Sequence, residues 1–213
     1  MMNPYDEWYA LVRALELKEA LGGTVTVINV GLPEDDVIIR KALAIGADDA
    51  VRVNTVPTDA LQVARQIAAY AKSQDFQLIF TGKETIDYNG SLVGAMVAEL
   101  LDLPFVSYVS HLEMEGETPV FTRDIEGGEE ILTAALPVVC SAAKGLAEQR
   151  IPNMRGIMMS KSKPLVVIEP VEGISDLNNV QYVLPPKKST VHMVAPEDMD
   201  ELVRLLREEA KVI

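Results

Sequence analysis

The sequence predicts a doubly wound, mostly parallel, Rossmann-like α/β sheet, carrying a small antiparallel ribbon and a C-terminal extended arm plus helix. Two observations predict it. Short β-branched runs bounded by Gly alternate with helical patterns, and strands separated by helices of this length form parallel βαβ units. After residue 111 the pattern changes to short polar alternating runs broken by Gly116 and Gly127-Gly128, which is the signature of antiparallel ribbon.

The elements follow in order. Asn3-Pro4 with Asp6 and Glu7 is a helix start, because Asn caps, Pro fits the first turn and acids favour the positive end of the dipole. Trp8, Leu11, Val12 and Leu15 recur at helical spacing, and Gly22-Gly23 ends the helix. Thr24–Gly31 is a buried strand. Pro33-Glu34-Asp35-Asp36 opens a second helix running to about Gly46, and Ala50–Val53 is the next strand. Thr58-Asp59 starts an alanine-rich helix to about Ser73, followed by a strand over Leu78–Gly82, a helix over about Ser91–Leu101 and a strand over Phe105–Val109. Residues 111–135 form the ribbon, and Val138-Val139-Cys140-Ser141 returns to a buried strand. Residues 144–164 read as a basic loop and 169–195 as an extended connector. Pro196-Glu197-Asp198 then starts a terminal helix with Met199, Leu202, Val203 and Leu206 on one stripe. The domain expectation is an α/β domain over 1–168 and an arm with helix over 169–213.

Composition narrows the function. The 213 residues carry 19 Lys+Arg against 32 Asp+Glu, a formal charge of −13 that nucleic-acid backbones repel unless one face is basic. One cysteine, Cys140, builds neither an internal disulfide nor a Cys-rich zinc site, and two histidines make a poor imidazole cage. No apolar run approaches the ~18–20 residues that span a bilayer, and the acidic opening is neither a secretory signal nor a transit peptide. The expected setting is a reducing cytoplasm.

Two stretches carry the candidate chemistry. Thr81–Gly94 lies beyond a parallel strand and leads into a helix, where open α/β sheets bind ligands, and amides near Gly90 and Ser91 suit a phosphate. It is neither a Walker motif nor a GxGxxG fingerprint, so an ordinary strand–helix turn stands beside that reading. Lys83, Glu84 and Asp87 lack an adjacent nucleophile, which speaks against side-chain catalysis. Lys144–Pro164 combines cations with Met and Ile, a composition suited to a protein-binding surface that repacks; the alternative is a loop folded back on the core.

In this order, the stretches resemble the β subunit of electron transfer flavoproteins. NPYDEWYALVRALELKE, KALAIGADDAVRV, TGKETIDYNGSLVG, TRDIEGGEEILTAALPVV and AEQRIPNMRGIMMSKSKP are each similar to a segment of that family, and together they cover nearly the whole chain. The resemblance implies a sheet of the adenine-nucleotide-binding type and an electron carrier, not an enzyme, paired with an α subunit that holds most of a redox-active FAD. It implies transfer from acyl-CoA dehydrogenases to a quinone oxidoreductase, as in fatty acid oxidation, with AMP or a second FAD in the β domain. It places Asn3, Asp87, Asn89, Gly90, Ser91, Leu92 and Val93 at the nucleotide, and Arg150, Met154, Ile157 and Met158 at partner proteins, Met154 as anchor. A stand-alone nucleotide-binding protein, either sensor or small hydrolase, is the competing reading.

Three departures accompany the resemblance. The family's opening strand has no counterpart here, which predicts an incomplete sheet. Gly90 and Leu92 stand where many members carry Thr and Gln, and Ala147-Glu148-Gln149-Arg150 replaces the family's NEPR.

Overall fold

The computed structural model describes residues 6–86, 88–173, 183–187 and 191–213. The chain divides into two compact units, Met1–Asn178 and Asn179–Ile213.

In the first unit, helix α1 (Asp6–Leu21) buries Tyr9, Ala10, Leu11, Val12 and Leu15. It stops where Gly22 adopts φ +85°, a left-handed conformation that costs glycine little, and the Gly22 N–H closes on the Lys18 carbonyl at 2.8 Å. Strand β1 (Thr26–Gly31) follows, then a single 3₁₀ turn (Pro33–Asp35), α2 (Asp36–Ile45) and β2 (Asp49–Asn54). Helix α3 (Ala60–Ala71) is capped by Asp59, whose carboxylate accepts from the Gln62 N–H at 2.8 Å. Strand β3 (Leu78–Gly82), α4 (Val93–Leu101), β4 (Phe105–Glu115), β5 (Thr118–Ile125), β6 (Gly128–Thr133) and β7 (Val138–Ala142) complete the expected series.

Two elements correct the sequence reading. The basic stretch 144–164 is not loop throughout: it contains helix α5 (Met154–Ser160), capped by the Asn153 side chain, which accepts from the Gly156 N–H. Strand β8 (Leu165–Ile168), not anticipated, pairs in parallel with β2. At residues 169–173 the chain has no regular structure, and buried Gln66 of α3 clamps Val171 there, donating to its carbonyl at 2.9 Å and accepting from its N–H at 2.8 Å. Most of the rest of the expected connector lies outside the described residues.

The strands form two sheets, ordered β1-β2-β8 and β3-β7-β4-β5-β6. All pairs are parallel except β4–β5 and β5–β6, the expected ribbon. Strand β7 is buried at every residue, including Cys140, whose thiol is pushed well above its ordinary pKa by burial and is therefore inert. No strand among the described residues joins β1 to β3. Helix α1 ties the halves together: Tyr9 and Ala10 pack with Val109, Leu112 and Phe121, while Leu11 and Leu15 pack with Leu43 and Ala50.

In the second unit, Asp198 caps helix α6 (Met199–Arg204), so the helix starts after the acidic residues expected to begin it, and a π-helical turn (Leu205–Ala210) follows. Arg204 bridges Glu201, Glu208 and Glu209 along this segment. Met199, Leu202 and Val203 remain exposed.

Candidate functional site

The turn after β3 closes on itself. The Thr85 N–H donates to the Gly90 carbonyl and the Asn89 N–H to the Thr85 carbonyl, each at 3.0 Å, while the Gly90 N–H donates to the Thr85 hydroxyl at 2.9 Å. Asn89 takes φ +53°, a conformation Asn tolerates. A Cβ at Gly90 would come within 2.3 Å of the Tyr88 ring, so glycine lets that ring lie across the turn.

Beyond the turn, Leu92 occupies the N-cap of α4 and supplies no side-chain hydrogen bond. The first turn of α4, from Val93 onward, therefore has no side-chain cap at the positive end of the helix dipole. The Ser91 hydroxyl lies 3.1 Å from that of Tyr108. Tyr108 was not anticipated. It takes φ +57° in a non-glycine residue, beside register shifts in β4, and its N–H donates to the Ser141 hydroxyl at 2.9 Å. The bulge carries the phenol toward Ser91, and no local pattern announces a tyrosine in the left-handed region. Lys83 pairs with Glu84 at 2.8 Å; that hydrogen bond raises the lysine pKa and offsets its charge. Ser91, Tyr108 and the uncapped amides are a donor set that fits a phosphate. Asn3 and Asp87 lie outside the described residues.

The second surface is built differently. Arg150 is bound to α1, with its guanidinium on Glu19 at 2.6 and 2.8 Å and its carbonyl accepting from the Trp8 indole at 3.1 Å. Lys41 sits 4.0 Å above the Trp8 ring. The inner side of α5 packs on α2, where a Cβ on Gly156 would come within 2.3 Å of the Ala44 carbonyl. Arg40 donates to the carbonyls of Ser160 and Lys163 at 2.7 and 2.6 Å. Lys163 in turn donates to the carbonyls of Leu43 and Ala47, and burial lowers its pKa. The outer side carries Met154, 74% exposed, Met158, 70% exposed, and Ile157, 42% exposed. Met154 is thus the first residue of a short fixed helix, not part of a free turn.

A family model described as electron transfer flavoprotein domain matches residues 1–172. The chain belongs to that family. The electron transfer flavoprotein subunit beta of Bacillus subtilis (strain 168) is 38% identical over 227 aligned positions, covering 100% of this chain and 88% of the relative. The human subunit beta is 34% identical over 221 positions, covering 99% of this chain and 86% of the relative. That of Thermoanaerobacterium thermosaccharolyticum is 34% identical over 171 positions, 79% of this chain and 65% of the relative. Membership in this family indicates an electron-transfer role. No helix among the described residues is long and apolar enough to cross a membrane, and no group of His, Cys, Asp and Glu among them could hold a metal ion.

Proposed function

We propose that this chain is the β subunit of a heterodimeric electron transfer flavoprotein, working with an α subunit in the bacterial cytoplasm. The observation that carries the proposal is the family match over residues 1–172, joined to relatives named subunit beta that align with nearly the whole chain. In this reading electrons pass from acyl-CoA and related dehydrogenases to a quinone oxidoreductase.

FAD at the interface with the α subunit supplies the electron storage when bound. This chain's part is to position. Ser91, Tyr108 and the opening amides of α4 would hold a phosphate of AMP, or of a second FAD, with Asn3, Asp87 and residues 89–93 around the nucleotide. Leu92 and Gly90 offer no side-chain donor, so the backbone carries most of that contact. Met154, Ile157 and Met158 dock dehydrogenases through apolar side chains held on a fixed backbone. Arg150 fixes the approach to that helix through Glu19 and Trp8. The arm and terminal helix, 169–213, pack on the α subunit.

Co-expression with an α subunit tests the proposal. A yellow one-to-one complex that a reduced acyl-CoA dehydrogenase bleaches and a quinone oxidoreductase reoxidises is the expected result. Acid release and chromatography then identify the bound nucleotides. Failure to form a flavin-containing complex overturns the assignment.

A further inference from the structure

We propose that Met154, Met158 and Met159 on α5 form a reversible oxidation site, at which hydrogen peroxide converts thioethers to sulfoxides and so weakens docking. The inference rests on the reading of α5 as a docking surface. Three of the chain's nine methionines stand within residues 154–159, and they are 74%, 70% and 48% exposed. Met154 and Met158 are four residues apart on one helix and share a face, which Met159 adjoins. Leu at these positions would supply similar apolar area. The thioether alone adds an oxidisable lone pair.

Among the described residues the other methionines are placed differently. Met96 packs against the buried cluster of Ala64, Val97, Ala98 and Val139, and Met114 is partly buried. Met193 and Met199 are exposed, but they belong to the arm and helix that pack on the α subunit in the proposed heterodimer.

The reaction needs only the sulfur and the peroxide. A sulfur lone pair attacks one peroxide oxygen, the O–O bond breaks and an S–O bond forms. The departing hydroxide takes the proton of the transferred hydroxyl, leaving sulfoxide and water. Sulfur is oxidised by two electrons, and the peroxide is reduced by the same two. The product is polar, and its oxygen is a hydrogen-bond acceptor. Arg155 lies three and four residues before Met158 and Met159, within reach of a sulfoxide oxygen at either position. An apolar pocket on a partner offers that oxygen no donor, so docking is penalised.

Oxidation leaves the helix in place because its base does not use these side chains. Asn153 caps α5, Gly156 lies against the Ala44 carbonyl, and Arg40 binds the carbonyls of Ser160 and Lys163. Met158 and Met159 take part through backbone carbonyls, which accept from the N–H groups of Lys161, Ser162 and Lys163.

The test treats the flavin-loaded heterodimer with graded hydrogen peroxide, removes the peroxide, and then maps oxidised methionines by peptide mass. Met154, Met158 and Met159 should each gain one oxygen before Met96 and Met114 do, with circular dichroism and melting temperature unchanged. Affinity for an acyl-CoA dehydrogenase should fall about tenfold and return after treatment with methionine sulfoxide reductases for both epimers. A chain carrying Met154→Leu, Met158→Leu and Met159→Leu should keep its own starting affinity through the same treatment. Even oxidation across all methionines, a lowered melting temperature, a loss that the reductases do not reverse, or equal sensitivity of the Leu variant each overturns the proposal. Met154→Ala separates the two readings. If that variant docks normally, the docking surface and the switch fall together; if it docks weakly while the sulfoxide form docks normally, the switch alone falls.

Discussion

The turn at 82–92 and helix α5 are both candidate contact surfaces, and they are held in opposite ways. The turn keeps its shape through bonds between residues no more than five apart in sequence, Thr85 with Asn89 and Gly90. Helix α5 and the residues after it keep theirs through contacts across more than a hundred residues, from Arg40 to Ser160 and from Lys163 to Leu43. In the turn the backbone groups of Thr85, Asn89 and Gly90 are bonded locally, and the start of α4 is left without a side-chain cap. In α5 the backbone is committed inward, and apolar side chains face solvent. A phosphate site needs free donors, which a self-bonded turn leaves available at the start of α4. A docking surface needs exposed apolar side chains, and a short helix keeps those in place only with a base beneath it.

Breaking the base under α5 gives the largest expected effect. In Gly156→Ala the new Cβ meets the Ala44 backbone carbonyl at 2.3 Å, and a backbone atom has little room to yield. Overpacking of this kind costs about 2–3 kcal/mol, so thermal unfolding should shift down by roughly 4–12 °C. Dehydrogenase docking should weaken in the same variant. An unchanged melting temperature would mean that α5 is not fixed on α2.

Met154→Ala separates docking from stability. The side chain is 74% exposed, so the melting free energy should stay within about 0.5 kcal/mol of the parent. Affinity for a partner dehydrogenase should fall about tenfold, or ~1.4 kcal/mol, with the flavin spectrum unchanged. A lowered melting temperature with intact transfer per folded molecule would place Met154 in structure rather than docking.

Gly94→Ala probes the other surface with a similar clash and a softer neighbour. The added Cβ would come within 2.6 Å of the Thr81 hydroxyl and 3.0 Å of the Phe105 ring, and both side chains can shift. About 1 kcal/mol is expected, less than for Gly156→Ala. Denaturant midpoints for the two variants should therefore rank in that order; the reverse ranking would contradict the contrast between backbone and side-chain neighbours.

The smallest effect is the Arg150–Glu19 pair, which lies near the surface. Its hydrogen bond to Arg150 holds the Glu19 carboxyl below its ordinary pKa. A depressed carboxylate pKa contributes stability above the unfolded-state value and loses it as pH falls through the folded-state value. Arg150→Gln should therefore cost at most about 1 kcal/mol at neutral pH and nothing measurable once Glu19 is protonated. Urea unfolding at neutral and acid pH checks the sign.

By itself the sequence determined the alternation of strands and helices, the antiparallel ribbon, the fully buried strand β7 and the family. These features rest on patterns that repeat within a few residues: apolar runs, Gly at helix ends, Asp59 as a cap. The stretches that form the two candidate surfaces, Thr81–Gly94 and Lys144–Pro164, also stood out by composition. Tertiary structure decided the rest. Met154–Ser160 contains Gly and three Met and lacks the length for helix formation alone; it is helical on the surface of α2, with Gly156 admitting the Ala44 carbonyl. Strand β8 has four residues and exists through its ladder to β2. Tyr108 reaches Ser91 through a bulge that β4 forms between β5 and β7, and the local sequence does not encode that register.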